Sequence, residues 1–154
     1  MRESPLPPEV DRVSGEVIGA AIEVHTLLGP GLREKMYESA LVVELRARGL
    51  AVSRQVPFQV SFKGVDLGVQ VIDLVVEGLV IVECKSVTAL VERDSCQLVG
   101  YLRFARLPLG LLLNFNLPRV KDGIVRRVNW PLPTPCELVR VRARPDSVLR
   151  VPAP

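Results

Sequence analysis

The chain is poor in histidine and cysteine. It contains one histidine and three cysteines, Cys84, Cys96 and Cys136, among 154 residues. The number of cysteines is odd, and their spacing matches neither a zinc-binding motif nor a disulfide framework. We therefore expect free thiols in a reducing compartment.

Long hydrophobic runs are also absent. No apolar stretch approaches the ~20 residues that a membrane-spanning helix requires, and the N-terminal MRESPLPPEV has no apolar segment of the kind found in signal peptides. We expect a cytoplasmic protein with no membrane partner. Its 48% hydrophobic and 24% charged residues are typical of one globular domain large enough to bury a core.

A strong excess of one charge is missing as well, because the net charge is only +3. Its distribution is uneven: residues 1–125 contain 14 Lys and Arg against 15 Asp and Glu, whereas residues 126–154 contain six Arg against two acidic residues. These arginines are candidate phosphate contacts that would add affinity for nucleic acid by counterion release. The alternative is a solvated, proline-interrupted tail. The candidates are Arg126, Arg127, Arg140, Arg142 and Arg144.

Hydrophobic periodicity predicts three helices packed on a mixed sheet, an α/β (α+β) architecture. The helices are expected at residues 9–28, 32–48 and 94–106, and the strands at 54–62, from about 65 into the segment 71–87, at 109–115 and at 123–129. Pro57 favours an edge strand, and Gly68 indicates a bulge in the next strand. We predict a disordered N-terminus at 1–8, one domain at 9–130 and an irregular tail at 131–154.

The segment Val71–Val87, VIDLVVEGLVIVECKSV, combines two apolar β-branched runs with three ionisable residues. A turn at Gly78 would pair the runs as antiparallel strands, so that Asp73 and Glu83, five residues on either side, lie opposite each other. Glu83 and Lys85 are two residues apart and leave the same face of their strand.

Burying these charges is costly unless they are paired or bind a metal. Carboxylate oxygens are the ligands that a hard divalent cation prefers, and Lys85 would lie beside such a cation. The alternative is a structural ion pair that only joins two strands.

Three further patterns are weak individually. Residues 31–37, GLREKMY, place Glu34 in the first turn of the second helix, where the helix dipole favours a carboxylate. Gln97 and Tyr101 are four residues apart and share one face of the third helix. The segment 114–116, NFN, ends an apolar strand.

Together these patterns resemble the GxxExxY proteins, a branch of the PD-(D/E)XK nuclease superfamily. The resemblance extends from about residue 18 to residue 129. Its carriers are EVHTLLGPGLREKMYE at 23–38, RQVPF at 54–58, IDLVVEGLVIVECKSV at 72–87, QLVGYL at 97–102 and GLLLNFNLPRVKDGI at 110–124.

The resemblance implies a restriction-endonuclease-like αβββαβ core with an active site in the middle of the sheet. It implies that Asp73, Glu83 and the Cys84 main-chain carbonyl bind Mg²⁺ or Mn²⁺, with Glu34 as a further acidic group. Lys85 would orient or activate the attacking water. Gln97 and Tyr101 match a Q-x-x-x-Y element that supports the lysine and the nucleic-acid backbone.

Three positions qualify this match. His25 also matches the family and could reach the metal, although the sole histidine of a chain more often packs between helices. Where the family often has an arginine before the first aspartate, this chain has Ile72, and where it often has a histidine before the glutamine, this chain has Asp94. Both departures concern substrate contacts rather than metal ligands.

The sequence therefore supports a metal-dependent nuclease acting on DNA or RNA as the first hypothesis. The second is a catalytically silent nuclease-fold module that binds nucleic acid or protein. A third hypothesis, a homodimer formed through the sheet edge at 56–62 and the third helix, is compatible with the first.

Overall fold

A computed structural model describes residues 6–131 of the chain. Its helices are α1 (Pro8–Leu28), α2 (Glu34–Ala47) and α3 (Glu92–Ala105), and its strands are β1 (Val52–Phe62), β2 (Val65–Val76), β3 (Val80–Lys85), β4 (Leu109–Asn114) and β5 (Ile124–Val128). The predicted order of elements is confirmed. The ends differ by up to two residues, and a short 3₁₀ helix at Val120–Gly123 was not predicted. Most of the segments predicted as disordered N-terminus and tail lie outside the described residues, so these boundaries stay predictions.

The five strands form one sheet in the order β1-β2-β3-β4-β5. Strands β3 and β4 are parallel, and the other neighbours are antiparallel. The predicted edge position of the strand that contains Pro57 is therefore confirmed. Helix α2, strands β1 to β3, α3 and β4 follow one another as the expected αβββαβ core, which is consistent with a restriction-endonuclease-like fold.

Helices cover both faces of the sheet, because the central strands are apolar on both sides. Helices α1 and α2 pack on one face and bury the first core cluster, which includes Leu41, Leu74 and Val82. Helix α3 packs on the other face and buries the second cluster, which includes Ile81 and Leu98. The carboxyl end of β3, where Glu83 and Lys85 lie, is thus enclosed by helices from both layers.

The hairpin of β1 and β2 extends beyond the rest of the sheet. We call residues 59–71 the arm. Pairing of β2 with β3 is confined to residues 74–76, so within the described chain no strand pairs with the outer side of residues 65–71. The register shift next to Val60 leaves Leu67 without a partner, which confirms a bulge beside Gly68. Five large apolar side chains of the arm are between 42% and 63% exposed: Phe62, Val65, Leu67, Val69 and Val71.

The exposed apolar surface that a dimer could use lies on the arm and not at the positions suggested by the sequence. Val56 and Phe58, at the edge suggested for dimer contact, are buried in the second core cluster. The apolar side of α3, including Leu98 and Leu102, is buried there too. Exposed apolar surface is concentrated instead on the arm. Among residues 6–131, no helix has the length and hydrophobicity required to cross a bilayer.

Candidate active site

The β2–β3 hairpin brings Asp73 and Glu83 together. The turn at Glu77 and Gly78 has positive φ angles of 53° and 64°. Leu74 pairs with Val82, so Asp73 and Glu83 are the next opposing positions. The expected opposition of the two carboxylates is therefore confirmed, and it depends only on the turn and on the twofold periodicity of strands.

Each carboxylate accepts a hydrogen bond from the neighbouring strand. The Asp73 main-chain N–H donates to Glu83 Oε1 at 3.0 Å, and the Cys84 main-chain N–H donates to Asp73 Oδ2 at 3.0 Å. The side chains thus continue the strand ladder where main-chain pairing ends. Because a carboxylate has several lone pairs, oxygen sites on both residues stay available to a further partner.

Burial makes ionisation of these groups costly. Desolvation, followed by the nearby Asp73 charge, raises the pKa of Glu83 to about 8. Burial also raises the pKa of Asp73, opposed by the hydrogen bond from Cys84 and reinforced by the charge of Glu38. A cation between two carboxylates that are difficult to ionise together would offset this cost, and pKa shifts of this kind occur both at metal or catalytic sites and in structural networks.

Glu34 lies on the first turn of α2, within electrostatic range of this pair. Burial raises its pKa, the Lys85 charge lowers it, and the Asp73 charge raises it. The main-chain N–H of Ser86 lowers this pKa as well. Glu34 therefore lies within electrostatic range of Asp73 and Lys85, whereas Asp73 and Glu83 lie directly opposite each other.

The Tyr37 side chain holds the loop that precedes Glu34. Its hydroxyl donates to the Gly29 carbonyl and accepts from the Leu32 N–H at 3.1 Å. Its ring stacks on Phe115 with the ring centroids 4.7 Å apart. Tyr37 thus positions the loop that leads into Glu34, rather than contributing a reactive group.

The loop after β3 is held by two side chains. Ser86 Oγ donates to the Leu32 carbonyl at 2.7 Å. The buried Asn114 amide donates to the Val87 carbonyl at 2.9 Å and accepts from the Val87 N–H at 3.2 Å. The NFN segment therefore acts through Asn114, which anchors the strand end that carries Lys85.

Lys85 is paired with a residue that the sequence analysis treated only as a departure from the family. Its Nζ lies 3.9 Å from Asp94 Oδ1. The other oxygen of Asp94 accepts the Val91 N–H at 2.9 Å, at the start of α3. Asp94 therefore couples the first turn of α3 to the lysine, and a carboxylate replaces the expected histidine at that point.

Gln97 and Tyr101 interact with each other as their spacing predicts. Gln97 Nε2 donates to the Tyr101 hydroxyl at 2.9 Å, and that hydroxyl lies 3.4 Å from Gln70 Oε1. Burial, then the charges of Glu83 and Asp73, raise the pKa of Tyr101. The pair therefore lies on the α3 side of the site and contacts the arm through Gln70. The partner of Lys85 is Asp94 and not this pair.

Cys84 contributes main-chain atoms only, since its thiol is buried in the first core cluster. The surrounding acidic groups and above all its burial raise the pKa of that thiol well above its usual range. Cys84 and Cys96 are free cysteines as predicted, and Cys136 lies outside the described residues.

The donor set has the chemistry of a hard-cation site. Its side chains offer carboxylate oxygens rather than nitrogen or sulfur, and such oxygens suit a hard divalent cation. Between residues 6 and 131, however, no group of three or more His, Cys, Asp or Glu side chains has an arrangement that would hold a metal ion. A cation here would have the Asp73 and Glu83 carboxylates as side-chain ligands and water at its remaining positions, a ligand number that Mg²⁺ tolerates.

Other candidates lie outside this centre. His25 Nε2 donates to the Leu117 carbonyl at 2.8 Å, so it packs α1 against the segment after β4. Arg126 pairs with Asp11 of α1 at 2.7 Å. Arg127 donates to Ser95 Oγ on α3 at 3.1 Å. Arg140, Arg142 and Arg144 lie outside the described residues.

Two residues near the site were missed. Glu38 is fully buried on α2, and Gln55 of β1 donates to it at 3.0 and 3.1 Å. The same Gln55 nitrogen lies 3.4 Å from Asp73 Oδ1. The available signals were the position of Glu38, four residues after Glu34 on the same helix face, and the RQVPF segment, which had been given no role.

Comparison with known proteins agrees with this geometry. The family model described as the PD-(D/E)XK nuclease superfamily matches residues 11–128, which include all five strands. Comparisons with curated proteins and with solved structures find no match.

Proposed function

The chain belongs to the PD-(D/E)XK nuclease superfamily, and from this premise we propose that it is a metal-dependent nuclease that hydrolyses phosphodiester bonds of DNA or RNA. The observation that carries the proposal is the opposition of Asp73 and Glu83 at the carboxyl end of β3, the strand that also carries Lys85, with Glu34 within electrostatic range and the pKa of Glu83 raised to about 8.

In this proposal the cation is held by Asp73, Glu83 and the Cys84 carbonyl, with Glu34 as a further acidic group. When bound, Mg²⁺ or Mn²⁺ would neutralise charge on the phosphodiester and favour ionisation of water. Lys85 would orient the attacking water and offset phosphate charge. Its Asp94 partner keeps the ammonium group near the carboxyl end of β3 until a phosphate competes for it.

Contacts to the nucleic-acid backbone are assigned to two surfaces. Gln97 and Tyr101 line the α3 side of the site and offer hydrogen-bond donors. Arg127 extends this side, because its guanidinium lies beside Ser95, next to Asp94. Arg126, Arg140, Arg142 and Arg144 would add sequence-independent phosphate contacts.

We also assign the chain to the GxxExxY branch. Support comes from Gly31, Glu34 and Tyr37: Gly31 adopts a φ of 98° that favours glycine, Tyr37 shapes the loop, and Glu34 faces the acidic pair. The three positions thus serve one purpose, which is to present Glu34 to β3.

The test is Mn²⁺ binding by calorimetry together with cleavage of single- and double-stranded DNA and RNA. Wild type should bind and cleave, whereas Asp73→Asn and Glu83→Gln should lose both activities and keep their fold. Glu23→Gln, which neutralises an exposed carboxylate on α1, is the matched control. A folded wild type that neither binds Mn²⁺ nor cleaves any of these substrates would disprove the proposal.

Two observations favour the alternative of a catalytically silent binding module. Both central carboxylates accept main-chain hydrogen bonds, and the described residues contain no three-residue metal-binding group. A silent module would bind nucleic acid or protein equally well as wild type and as Glu83→Gln. A nuclease would differ between the two in cleavage.

A homodimer through the arm is compatible with either function. In the part of β2 that belongs to the arm, apolar residues alternate with Asp66, Gly68 and Gln70. An antiparallel twofold pairing around Gly68 would place Leu67 opposite Val69 of the second copy and Asp66 opposite Gln70. We therefore assign the second copy of this chain as the partner of the arm, because the pattern is self-complementary and carries little net charge.

A further inference from the structure

Gln55 occupies a special position in β1, directly opposite Asp73. Arg54 pairs with Leu74 and Val56 pairs with Ile72, so Gln55 and Asp73 lie between two regular pairs. Gln55 has a φ of 50°, in the left-handed region that non-glycine residues rarely adopt. Such a conformation persists only where surrounding contacts impose it.

At this position the side chains of the hairpin change from one face of the sheet to the other. Before it, Arg54 points to the α2 layer, where it bonds to Glu38. In a regular strand, residues two positions apart point to the same face. Val56, two positions after Arg54, nevertheless belongs to the second core cluster, on the α3 face. The opposing strand changes in the same way, since Leu74 belongs to the first cluster and Ile72 to the second. Asp73 is therefore the residue at which β2 changes face.

Glu38 is the residue of α2 that holds the Gln55 side chain. Its side chain is 1% exposed and accepts from Arg54 Nε at 2.7 Å and from Lys35 Nζ at 3.3 Å. Gln55 Nε2 donates to both of its oxygens. With its lone pairs used in this way, Glu38 is fixed in place and is not free to act as a metal ligand.

The Gln55 amide connects this fixed carboxylate to Asp73. An amide nitrogen has two hydrogens; one faces the Glu38 carboxylate, and the nitrogen lies 3.4 Å from Asp73 Oδ1. The other Asp73 oxygen accepts the Cys84 N–H. Asp73 thus has one oxygen held by β3 and the other held, through Gln55, by α2.

We propose that Glu38 and Gln55 are positioning residues that hold the Asp73 carboxylate in the orientation required for the metal site. Neither touches the substrate. The effect on metal binding rests on the proposed function, whereas the orientation of Asp73 does not. Residues that orient a ligand typically change metal affinity by about 10- to 100-fold when removed.

The decisive variant is Gln55→Gly, because glycine accepts the positive φ while removing the amide. Gln55→Asn is a second variant, since asparagine also tolerates this conformation but its amide is one methylene shorter. Gln59→Gly, at the arm end of the same strand, is the matched control. All are studied in the full-length chain and compared for stability by thermal unfolding.

The first readout needs neither metal nor substrate: hydrogen exchange of the Cys84 main-chain N–H, followed by NMR. If the proposal is correct, this exchange accelerates by about fivefold to tenfold in Gln55→Gly, less in Gln55→Asn and not in Gln59→Gly. Unchanged Cys84 exchange in a folded Gln55→Gly would overturn the proposal.

The second readout is the dissociation constant for Mn²⁺, which should rise about tenfold in Gln55→Gly and stay at the wild-type value in Gln59→Gly. Wild-type affinity in Gln55→Gly, where Asp73→Asn abolishes binding, would also overturn the proposal. If the wild type binds no Mn²⁺ but Cys84 exchange responds as expected, the proposed nuclease function fails and the positioning of Asp73 stands.

Discussion

The side chains of Asp73 and Glu83 each accept a hydrogen bond from the main chain of the opposite strand. The Asp73 N–H donates to Glu83 Oε1, and the Cys84 N–H donates to Asp73 Oδ2, both at 3.0 Å. The two carboxylates therefore replace main-chain pairing at the end of the β2–β3 hairpin. Their burial in a shared acidic environment disfavours ionisation of both, so protons would compete with the cation that we propose to bind there. The raised pKa values lead to the first two predictions.

Metal affinity should depend on pH. Because the pKa of Glu83 is raised to about 8, a cation has to displace a proton below that pH. We expect Mn²⁺ affinity to rise up to about tenfold per pH unit between pH 6 and 8 and to level off above. Calorimetry in buffers with different ionisation enthalpies measures both the affinity and the protons released. A constant affinity across this range would contradict the prediction.

Glu83→Gln should stabilise the metal-free protein at pH 8. A carboxyl group with a raised pKa in the folded state contributes stability below its unfolded pKa of 4.5, and this contribution is lost as pH rises through about 8. Glutamine keeps an oxygen for the Asp73 N–H and has no charge to desolvate. Urea unfolding with a chelator present should give a gain of about 1 kcal/mol or more at pH 8 that disappears near pH 5. Glu23→Gln, the control, should follow wild type at both pH values.

Asp94→Asn should increase affinity for nucleic acid. The change removes the negative charge 3.9 Å from Lys85 Nζ, and asparagine can still accept the Val91 N–H that begins α3. We expect two- to fivefold tighter binding, on the order of the ~1 kcal/mol of a partly exposed pair. Fluorescence anisotropy measures it, and the exposed Glu92→Gln on the same turn is the control. Equal changes in both variants would point to net charge instead of Lys85.

Val69→Lys should prevent self-association through the arm. Val69 is 59% exposed. A lysine there would put a charge opposite Leu67 of the second copy and would make the two lysines diagonal neighbours across the twofold pairing. Sedimentation velocity should give a wild-type dimer and a monomeric variant. Val43→Lys, which changes a comparably exposed valine on α2, should remain dimeric. A monomeric wild type at all concentrations would reject the dimer.

The C-terminal arginines should control the salt dependence of nucleic-acid binding. Replacing Arg140, Arg142 and Arg144 by glutamine should reduce the slope of log K against log salt by about 2 to 3, because each lost phosphate contact releases about one counterion less. Arg126→Gln should change the slope less, since Arg126 already pairs with Asp11. An unchanged slope in the triple variant would favour a solvated tail.

The sequence by itself determined the order of the elements and the opposition of Asp73 and Glu83. Both depend on local rules: apolar periodicity distinguishes helix from strand, and a glycine turn pairs residues at equal distances on either side. The bulge beside Gly68 and the Gln97–Tyr101 contact were predictable from local rules as well. The free Cys84 and Cys96 were predictable from the odd number and the spacing of the cysteines.

Only the tertiary structure decided which distant side chains meet. Gln55 reaches Glu38 on α2 across 17 positions of sequence, and His25 meets the Leu117 carbonyl across 92. Asp94 faces Lys85 because of the way α3 docks. The exposed arm is likewise a tertiary result, because its alternating pattern resembles that of a half-buried strand. Such contacts depend on the packing of whole layers, which periodicity along one segment does not encode.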